Sequence, residues 1–290
     1  MTLKSANIPP DSAIMLNRSG CILFALWEEL LKSRRSATKT LGLDDIHDLR
    51  VSSRRFRAAL DLFEPIAPTD QTTEIRKKVR NLTRKLGGLR NLDESIIFFK
   101  SHMDNGTLTE IPLVTKLTRL RSAEVHQISK SLKNFDHHEI DKQVREMVAC
   151  MNSGPAVYDN RFSLLAYFSD ASIRMFLPIQ QQLAAVTRPE CHETRHLMRI
   201  AIKKWRYFFE IVARVMEHDY NQVLETLKEY QSLLGSMNDM IEFEALVHKM
   251  ELSANNRNAA VEVLKVEKTG LLARLTTLVE NKPLTYTFLI

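Results

Sequence analysis

The sequence predicts an all-α protein made of two antiparallel helical bundles, duplicated four-helix-type units related by a pseudo-twofold axis. Glycine and proline are scarce, at 8 and 9 of 290 residues, and Leu, Ala, Lys, Glu and Arg dominate long stretches. This composition favours helices. Apolar residues also recur at helical spacing. A basic segment of the first half returns about 149 residues later, a period too long for a solenoid and suited to two bundles.

Capping residues and chain breakers delimit the predicted helices of the first half. Ser12 is an N-cap candidate for the first helix, and Pro65 follows the end of the second. The Gly87-Gly88 pair either ends the third helix or marks a close approach to another backbone. The predicted helices cover 12–36, 44–64, about 72 to the glycine pair, 91–102, 112–132 and a short segment that ends at 152.

The stretch from Asn152 to Pro155 is the predicted boundary between the halves, because Asn, Ser, Gly and Pro together favour a loop. It divides the chain into residues 1–154 and 155–290. The apolar tail from Thr285 to Ile290 is expected to dock on the body of the protein. The second-half helices are predicted over 158–186, 191–217, 219–235, 238–253 and 255–281.

The repeated basic segment is the strongest functional signal. Its two copies read His47-Asp-Leu-Arg50-Val-Ser-Ser-Arg54-Arg55-Phe-Arg57 and His196-Leu-Met-Arg199-Ile-Ala-Ile-Lys203-Lys204-Trp-Arg206. On a helix, the histidine and the cations at +3, +7 and +10 fall within an arc of roughly 80°, opposite an apolar arc that contains Phe56 or Trp205. Like charges at this spacing repel by a few tenths of a kcal/mol per pair. Two such stripes at equivalent places therefore indicate a face that binds an anion.

The third helix extends this pattern. Arg76, Arg80 and Arg84 form one row at a spacing of about 6 Å. Guanidinium groups in a row suit successive phosphates, because each can bind phosphate oxygens in a bidentate manner. The second half keeps Lys228 at the place of Arg80 but has Ser232 at that of Arg84, so it is predicted to contribute less.

The histidines and the nearby carboxylates allow two interpretations. His47 and His196 either donate a hydrogen bond to a phosphate oxygen or cap and bridge helices. A metal site is not predicted, because the arginines would repel a divalent cation. Asp93 and Asp239 are interpreted as structural, binding an arginine or a helix N-terminus.

Composition and motifs limit the other function classes. The net charge is +6, and the three cysteines lack the spacing of a disulfide framework or a zinc site. There is no signal-peptide pattern and no apolar stretch of about 18 residues, so a cytoplasmic protein is expected. The P-loop, Gly-x-Gly-x-x-Gly and Gly-x-Ser-x-Gly motifs do not occur, and neither a cofactor nor an enzymatic activity is predicted.

The motifs resemble those of a known family. The first basic segment followed by Leu86-Gly87-x-x-Arg90-Asn91-x-Asp93 is similar to the first half of the CHAD domain, the conserved-histidine α-helical domain. The second segment followed by Leu234-Gly235-x-x-Asn238-Asp239 is similar to its second half. This sequence has Asn91 where the family usually has Asp. It also has Ser52-Ser53 in place of the usual small apolar-polar pair.

The resemblance implies two bundles with a basic surface at their junction that binds inorganic polyphosphate, and association with polyphosphate granules. The tunnel domain that hydrolyses triphosphate, sometimes fused to this domain, has no counterpart in the sequence. The residues implied to contact phosphates are His47, Arg50, Arg54, Arg55, Arg57, Arg80, Arg84, Arg90, His196, Arg199, Lys203, Lys204, Arg206 and Lys228.

Two alternatives stay open at this point, a nucleic-acid binder and an enzyme that acts on phosphoanhydrides. A nucleic-acid binder would usually add exposed aromatic residues for stacking or a recognition helix for bases. Phe56 and Trp205 lie on the apolar arcs instead, so they are predicted to be core residues. A scaffold that targets a partner to granules is compatible with polyphosphate binding.

Overall fold

The computed structural model describes residues 12–67, 72–108, 112–153 and 163–288, which form helices and connecting segments without a strand. The all-α prediction is therefore confirmed. None of the helices in this part of the chain has the length and apolar character needed to cross a membrane. The helices are α1 (Ser12–Thr40), α2 (Leu43–Phe63), α3 (Thr72–Asp104), α4 (Leu113–Lys133), α5 (His138–Asn152), α6 (Leu164–Leu183), α7 (His192–Met216), α8 (Asn221–Lys249) and α9 (Ala254–Asn281), with a 3₁₀ turn at Glu64–Ile66 after α2.

The predicted breaks within α3 and α8 are wrong. The α3 helix continues through Gly87-Gly88, and α8 continues through the segment around Gly235. Each glycine costs about 1 kcal/mol relative to alanine inside a helix. Buried apolar residues on both sides of the α3 glycines, such as Leu86 and Leu89, outweigh that cost. Each of these two long helices is therefore continuous along its whole length, including the part that carries its cations.

The two halves have the same order of helix contacts. The pairs α1–α2, α2–α3 and α3–α4 pack together in the first half, and α6–α7, α7–α8 and α8–α9 do so in the second. The α5 helix packs along α1. Contacts α1–α7, α2–α7 and α3–α8 join the halves. The pseudo-twofold relation stays a prediction, and the boundary between 154 and 155 lies outside the described residues.

The main apolar core runs through both halves, and a smaller second cluster packs α1, α2, α3 and α4 together in the first half. Trp27 packs on Phe56 with ring centroids 5.2 Å apart, and Phe98 of α3 meets Phe243 of α8 at 5.5 Å. Phe56 and Trp205 are fully buried, which confirms that they are core residues. Burial of the apolar arcs of α2 and α7 leaves their cationic arcs at the junction of the halves.

The C-terminal tail docks on the second half. Phe288 is buried against Phe208, Phe209 and Tyr220, and Leu284 is buried as well. The docking prediction is confirmed for the described part of the tail, which ends at residue 288.

Candidate anion-binding site

Cations from both halves converge where α2 and α3 meet α7 and α8. The charge of Arg199 on α7 lowers the pKa of Arg50 on α2, and the charge of Arg54 lowers that of Lys203 on α7. These effects require the side chains to lie close together in partly buried surroundings. We call the residues that interact in this way the basic cluster: Arg50, Arg54, Arg90, Arg199 and Lys203.

Burial and mutual repulsion make the charges of this cluster unfavourable in the free protein. Burial, followed by the charges of Arg54 and Arg90, lowers the pKa of Arg50 to about 9. Burial, followed by the charges of Arg199 and Arg54, lowers the pKa of Lys203 to about 6. The pKa of Arg199 is also lowered, mainly by burial. A bound anion would relieve both costs.

Most of the cluster has no carboxylate partner. Within the described part of the chain, no Asp or Glu oxygen lies within 4 Å of a charged nitrogen of Arg50, Arg54, Arg199 or Lys203. The Nε of Arg199 is buried without a hydrogen-bond acceptor in the same residues. Arg90 differs, because it forms an i,i+4 ion pair with Glu94. Most of the positive charge at the junction is therefore not paired with a carboxylate of the described residues.

One carboxylate, that of Asp239, lies among the cations of the basic cluster. It lies on α8 and interacts electrostatically with Arg199, Arg90, Lys203 and Arg50. Burial nevertheless raises its pKa above the ordinary value. The structural interpretation fits Asp93, whose carboxylate accepts a hydrogen bond from Arg121 Nε at 2.5 Å. Asp239 also faces arginines, as that interpretation allows, but it does so inside the basic cluster, a position that the sequence did not predict.

Gly87 shapes the position of Arg50. The Arg50 guanidinium crosses α3, and its Nη1 donates a hydrogen bond to the carbonyl oxygen of Leu86 at 3.2 Å. A Cβ at Gly87 would lie 3.4 Å from that nitrogen. The glycine pair thus marks neither a helix end nor an approach of another backbone. At Gly87, the side chain of Arg50 passes close to the backbone of α3.

Arg55 and Arg206 belong to an ion-pair network rather than to the basic cluster. Arg55 contacts Glu210 at 3.1 Å and Glu29 at 3.2 Å, which links α2 to α7 and α1. Arg206 contacts the other oxygen of Glu210 at 3.2 Å and lies over the ring of Tyr207. Both arginines are therefore neutralised by carboxylates of the protein itself.

The remaining predicted cations lie around the cluster. Arg57 interacts electrostatically with Arg80 and Arg54, so it extends the cationic surface along α2 and α3. Arg80 and Arg84 are exposed on α3. Arg76, which the sequence placed in the same row, is neutralised by Asp61 and Glu64. Lys204 and Lys228 are exposed, and Lys228 lines an open groove between α8 and α9.

The two histidines have different surroundings. Burial, followed by the charge of Arg90, lowers the pKa of His47, which places this side chain beside the cluster. His196 Nδ1 donates a hydrogen bond to Asn238 Oδ1 at 3.0 Å and lines a cavity of about 170 Å³ between α7, α8 and α9. His196 thus bridges two helices, as one of the two interpretations predicted. Among the described residues, no three His, Cys, Asp or Glu side chains are grouped to hold a metal ion.

The family model of the CHAD domain matches residues 22–248. The chain belongs to the CHAD domain family. No curated protein matches the sequence.

Solved structures support the same fold. The crystal structure of the CHAD domain from the plant Ricinus communis superposes with a TM-score of 0.72 at 18% identity, over 99% of this chain and 98% of that one. PptA from Streptomyces chartreusis superposes with a TM-score of 0.64 at 14% identity, over 93% and 98% of the two chains. All fourteen predicted site residues fall inside the part of the chain that matches the CHAD domain model, including both basic helices.

Proposed function

We propose that this CHAD domain protein binds inorganic polyphosphate without hydrolysing it, and that the basic cluster forms the centre of the binding site. One observation carries the proposal. Three cations of α2 and α3 converge with two of α7, four of these five interact with Asp239, and most of the five lack an ion-pair partner in the described residues. A flexible chain of phosphates can supply the missing negative charge to both halves at once. Association with polyphosphate granules is the location that this binding predicts.

The geometry favours polyphosphate over nucleic acid. Base stacking by a single-strand binder depends on accessible aromatic rings. Phe56 and Trp205, the aromatic residues of the two repeated basic segments, are 0% and 1% exposed. Tyr207, the next aromatic residue on α7, is 8% exposed. The cluster therefore offers contacts to phosphate groups, whereas these aromatic rings of the basic helices are too buried for base stacking.

Charge reversal at the centre of the cluster tests the site. Arg50→Glu with Arg199→Glu should weaken polyphosphate binding at least about 100-fold, since each charge-assisted contact contributes about 1.5–3 kcal/mol. Asp239→Asn should strengthen binding a few-fold, because it removes the competing carboxylate. Affinities are measured by titration with labelled polyphosphate, and circular dichroism checks that helicity is retained.

A matched control variant makes the same change of net charge at positions away from the site. Lys142→Glu with Lys249→Glu reverses two exposed cations on α5 and α8 and should leave affinity within about twofold at moderate salt. Unchanged binding in the Arg50 and Arg199 variant, or an equal loss in the control, would refute the site.

Two further measurements separate the alternatives. Competition of polyphosphate against DNA and RNA of equal charge should show a clear preference for polyphosphate. Incubation of polyphosphate with the protein and Mg²⁺ or Mn²⁺ should release no phosphate above background. Sustained turnover would replace the binding function with an enzymatic one.

A further inference from the structure

A cavity of about 170 Å³ lies between α7, α8 and α9, and no residue of the basic cluster lines it. Most of its wall is apolar and comes from Pro189, Leu234, Met237, Ile241 and Leu272. Leu234 and Met237 are buried, whereas Ile241 is exposed, so the cavity reaches from the interior to solvent. The proposed function makes no use of this space.

Two histidines of α7 add polar atoms to the wall of the cavity. His192 and His196 are four residues apart, so they lie on one face of the helix with Cβ atoms about 5–6 Å from each other. Each ring uses its Nδ1 in a hydrogen bond within the protein. No hydrogen bond among the described residues uses either Nε2, so these two nitrogens remain for a ligand.

The partners of the Nδ1 atoms select opposite tautomers for the two rings. Arg195 can only donate, so its Nη2, at 2.9 Å, requires an unprotonated Nδ1 on His192 and leaves the proton on Nε2. Arg195 is 5% exposed and also donates to three backbone carbonyl groups, which hold it in place. His196 Nδ1 donates to Asn238 Oδ1 at 3.0 Å, so Nε2 of the neutral ring is an acceptor. The wall therefore carries one donor and one acceptor on neighbouring turns.

We propose that this cavity binds a small aromatic molecule with a hydroxyl group, such as a simple phenol. A hydroxyl group is both a donor and an acceptor, so it can accept from His192 Nε2 and donate to His196 Nε2. The apolar residues would then surround the aromatic ring. An apolar cavity of about 150 Å³ is large enough for benzene, so this cavity has room for one ring. The proposal does not depend on polyphosphate binding.

The same wall argues against a metal ion and against an anion. Histidines four residues apart can chelate a metal, but Nε2 of His192 carries a proton and cannot coordinate one. The two lysines of the wall are already paired with carboxylates, Lys265 with Glu262 and Lys268 with Glu244. A neutral molecule with a hydroxyl group therefore fits this set of groups better.

Nitrogen NMR of the histidine rings tests the two tautomers directly. In the full-length ¹⁵N-labelled protein at about pH 8, where ordinary imidazoles are neutral, His192 should carry its proton on Nε2 and His196 on Nδ1. The variants His192→Gln and His196→Gln assign the signals. The same tautomer in both rings would remove the matched donor and acceptor and overturn the proposal.

Two probes that differ in one hydrogen-bond donor test the ligand class. The full-length protein is titrated with para-fluorophenol and with para-fluoroanisole, in which a methyl group replaces the hydroxyl proton, and fluorine NMR measures binding. The phenol should bind with a Kd of about 1 mM or below. The ether should bind about tenfold more weakly, because it leaves His196 Nε2 without a donor. No saturable binding of the phenol, or equal affinity for both probes, would overturn the proposal.

Substitutions in the wall locate the bound probe. Ile241→Trp should fill the cavity and abolish binding, whereas Ile173→Trp, at a similarly exposed position on α6 outside the cavity, should leave it unchanged. Circular dichroism checks that both variants keep their helicity. His196→Phe should lower the affinity for the phenol to that for the ether and leave the ether within about twofold. Equal binding by the two tryptophan variants, or an equal loss of both probes in His196→Phe, would overturn the site.

Discussion

Lys203 links polyphosphate binding to pH. Its pKa of about 6 in the free protein results from burial and from the charges of Arg199 and Arg54. A bound polyanion favours the charged amine and raises that pKa, so binding at pH 7–8 takes up a proton. Affinity should therefore increase as the pH falls from 8 to 6, by up to about tenfold per pH unit, and level off below 6. Calorimetry in buffers of different ionisation enthalpy measures the proton uptake.

The variant Lys203→Arg isolates this effect, because arginine stays charged throughout the range. It should remove most of the pH dependence between about 6.5 and 8 while keeping the affinity high. The use of long polyphosphate limits the contribution of its titrating end groups. A bound polyanion also favours the charged form of His47, whose pKa is lowered by burial and by Arg90 in the free protein, so any slope that remains is assigned with a further His47→Asn substitution. An unchanged slope in the arginine variant would show that another group takes up the proton.

Neighbouring residues show how much of the site the sequence can predict. Helical spacing places Arg54 on the cationic arc of α2 and Arg55 outside that arc. The sequence therefore predicts that the two side chains point in different directions. The partners of Arg55 could not, because Glu29 and Glu210 lie 26 residues before it and 155 residues after it. The spacing of residues along a helix predicts the direction in which each side chain points. It does not define which helices lie on either side.

At the scale of the element, Gly87 combines a local cost with a functional benefit. Glycine makes a helix less stable than alanine or leucine would, yet at this position it leaves space for the Arg50 guanidinium. Gly87→Leu should raise the free energy of unfolding by about 0.5–1 kcal/mol through helix propensity. It should also displace Arg50 and weaken polyphosphate binding about tenfold. Chemical denaturation and a binding titration measure the two effects separately.

A second glycine provides the control. Gly270 lies in α9, and a Cβ placed on it would meet no atom within 4 Å. Gly270→Leu should therefore stabilise the protein by a similar amount and leave binding unchanged. If both variants bound polyphosphate as tightly as the unchanged protein, the clearance at Gly87 would have no functional role.

The helices themselves were largely predictable, with the exception of these glycines. Apolar periodicity and chain breakers located most described helix ends to within a few residues, as at Pro65 and Asn281. Propensity alone favours a break at Gly87-Gly88, whereas the buried leucines on either side keep α3 continuous. The continuity of α3 depends on tertiary packing, so it cannot be predicted from the local sequence pattern.

At the scale of the whole molecule, the candidate site exists because the two halves share one core. Neither half alone assembles the basic cluster, which takes Arg50 and Arg54 from α2, Arg90 from α3, and Arg199 and Lys203 from α7. The repeated basic segment predicted that both halves contribute. The junction that brings them together depends on contacts such as Phe98 with Phe243, and neither residue belongs to the repeated segment.

Salt dependence tests whether the halves act on one ligand. For a flexible single-stranded polyanion, each neutralised phosphate changes the slope of log affinity against log salt by about −0.7, by analogy with nucleic acids. Five cluster cations then predict a slope near −3.5, or about a 100-fold loss of affinity between 50 and 200 mM salt. Arg50→Gln with Arg199→Gln should reduce the slope to about −2.1, because two contacts are lost. Either single variant should reduce it by half as much. If only the substitutions in one half altered the slope, the ligand would contact that half alone, and the other half would contribute structure rather than binding.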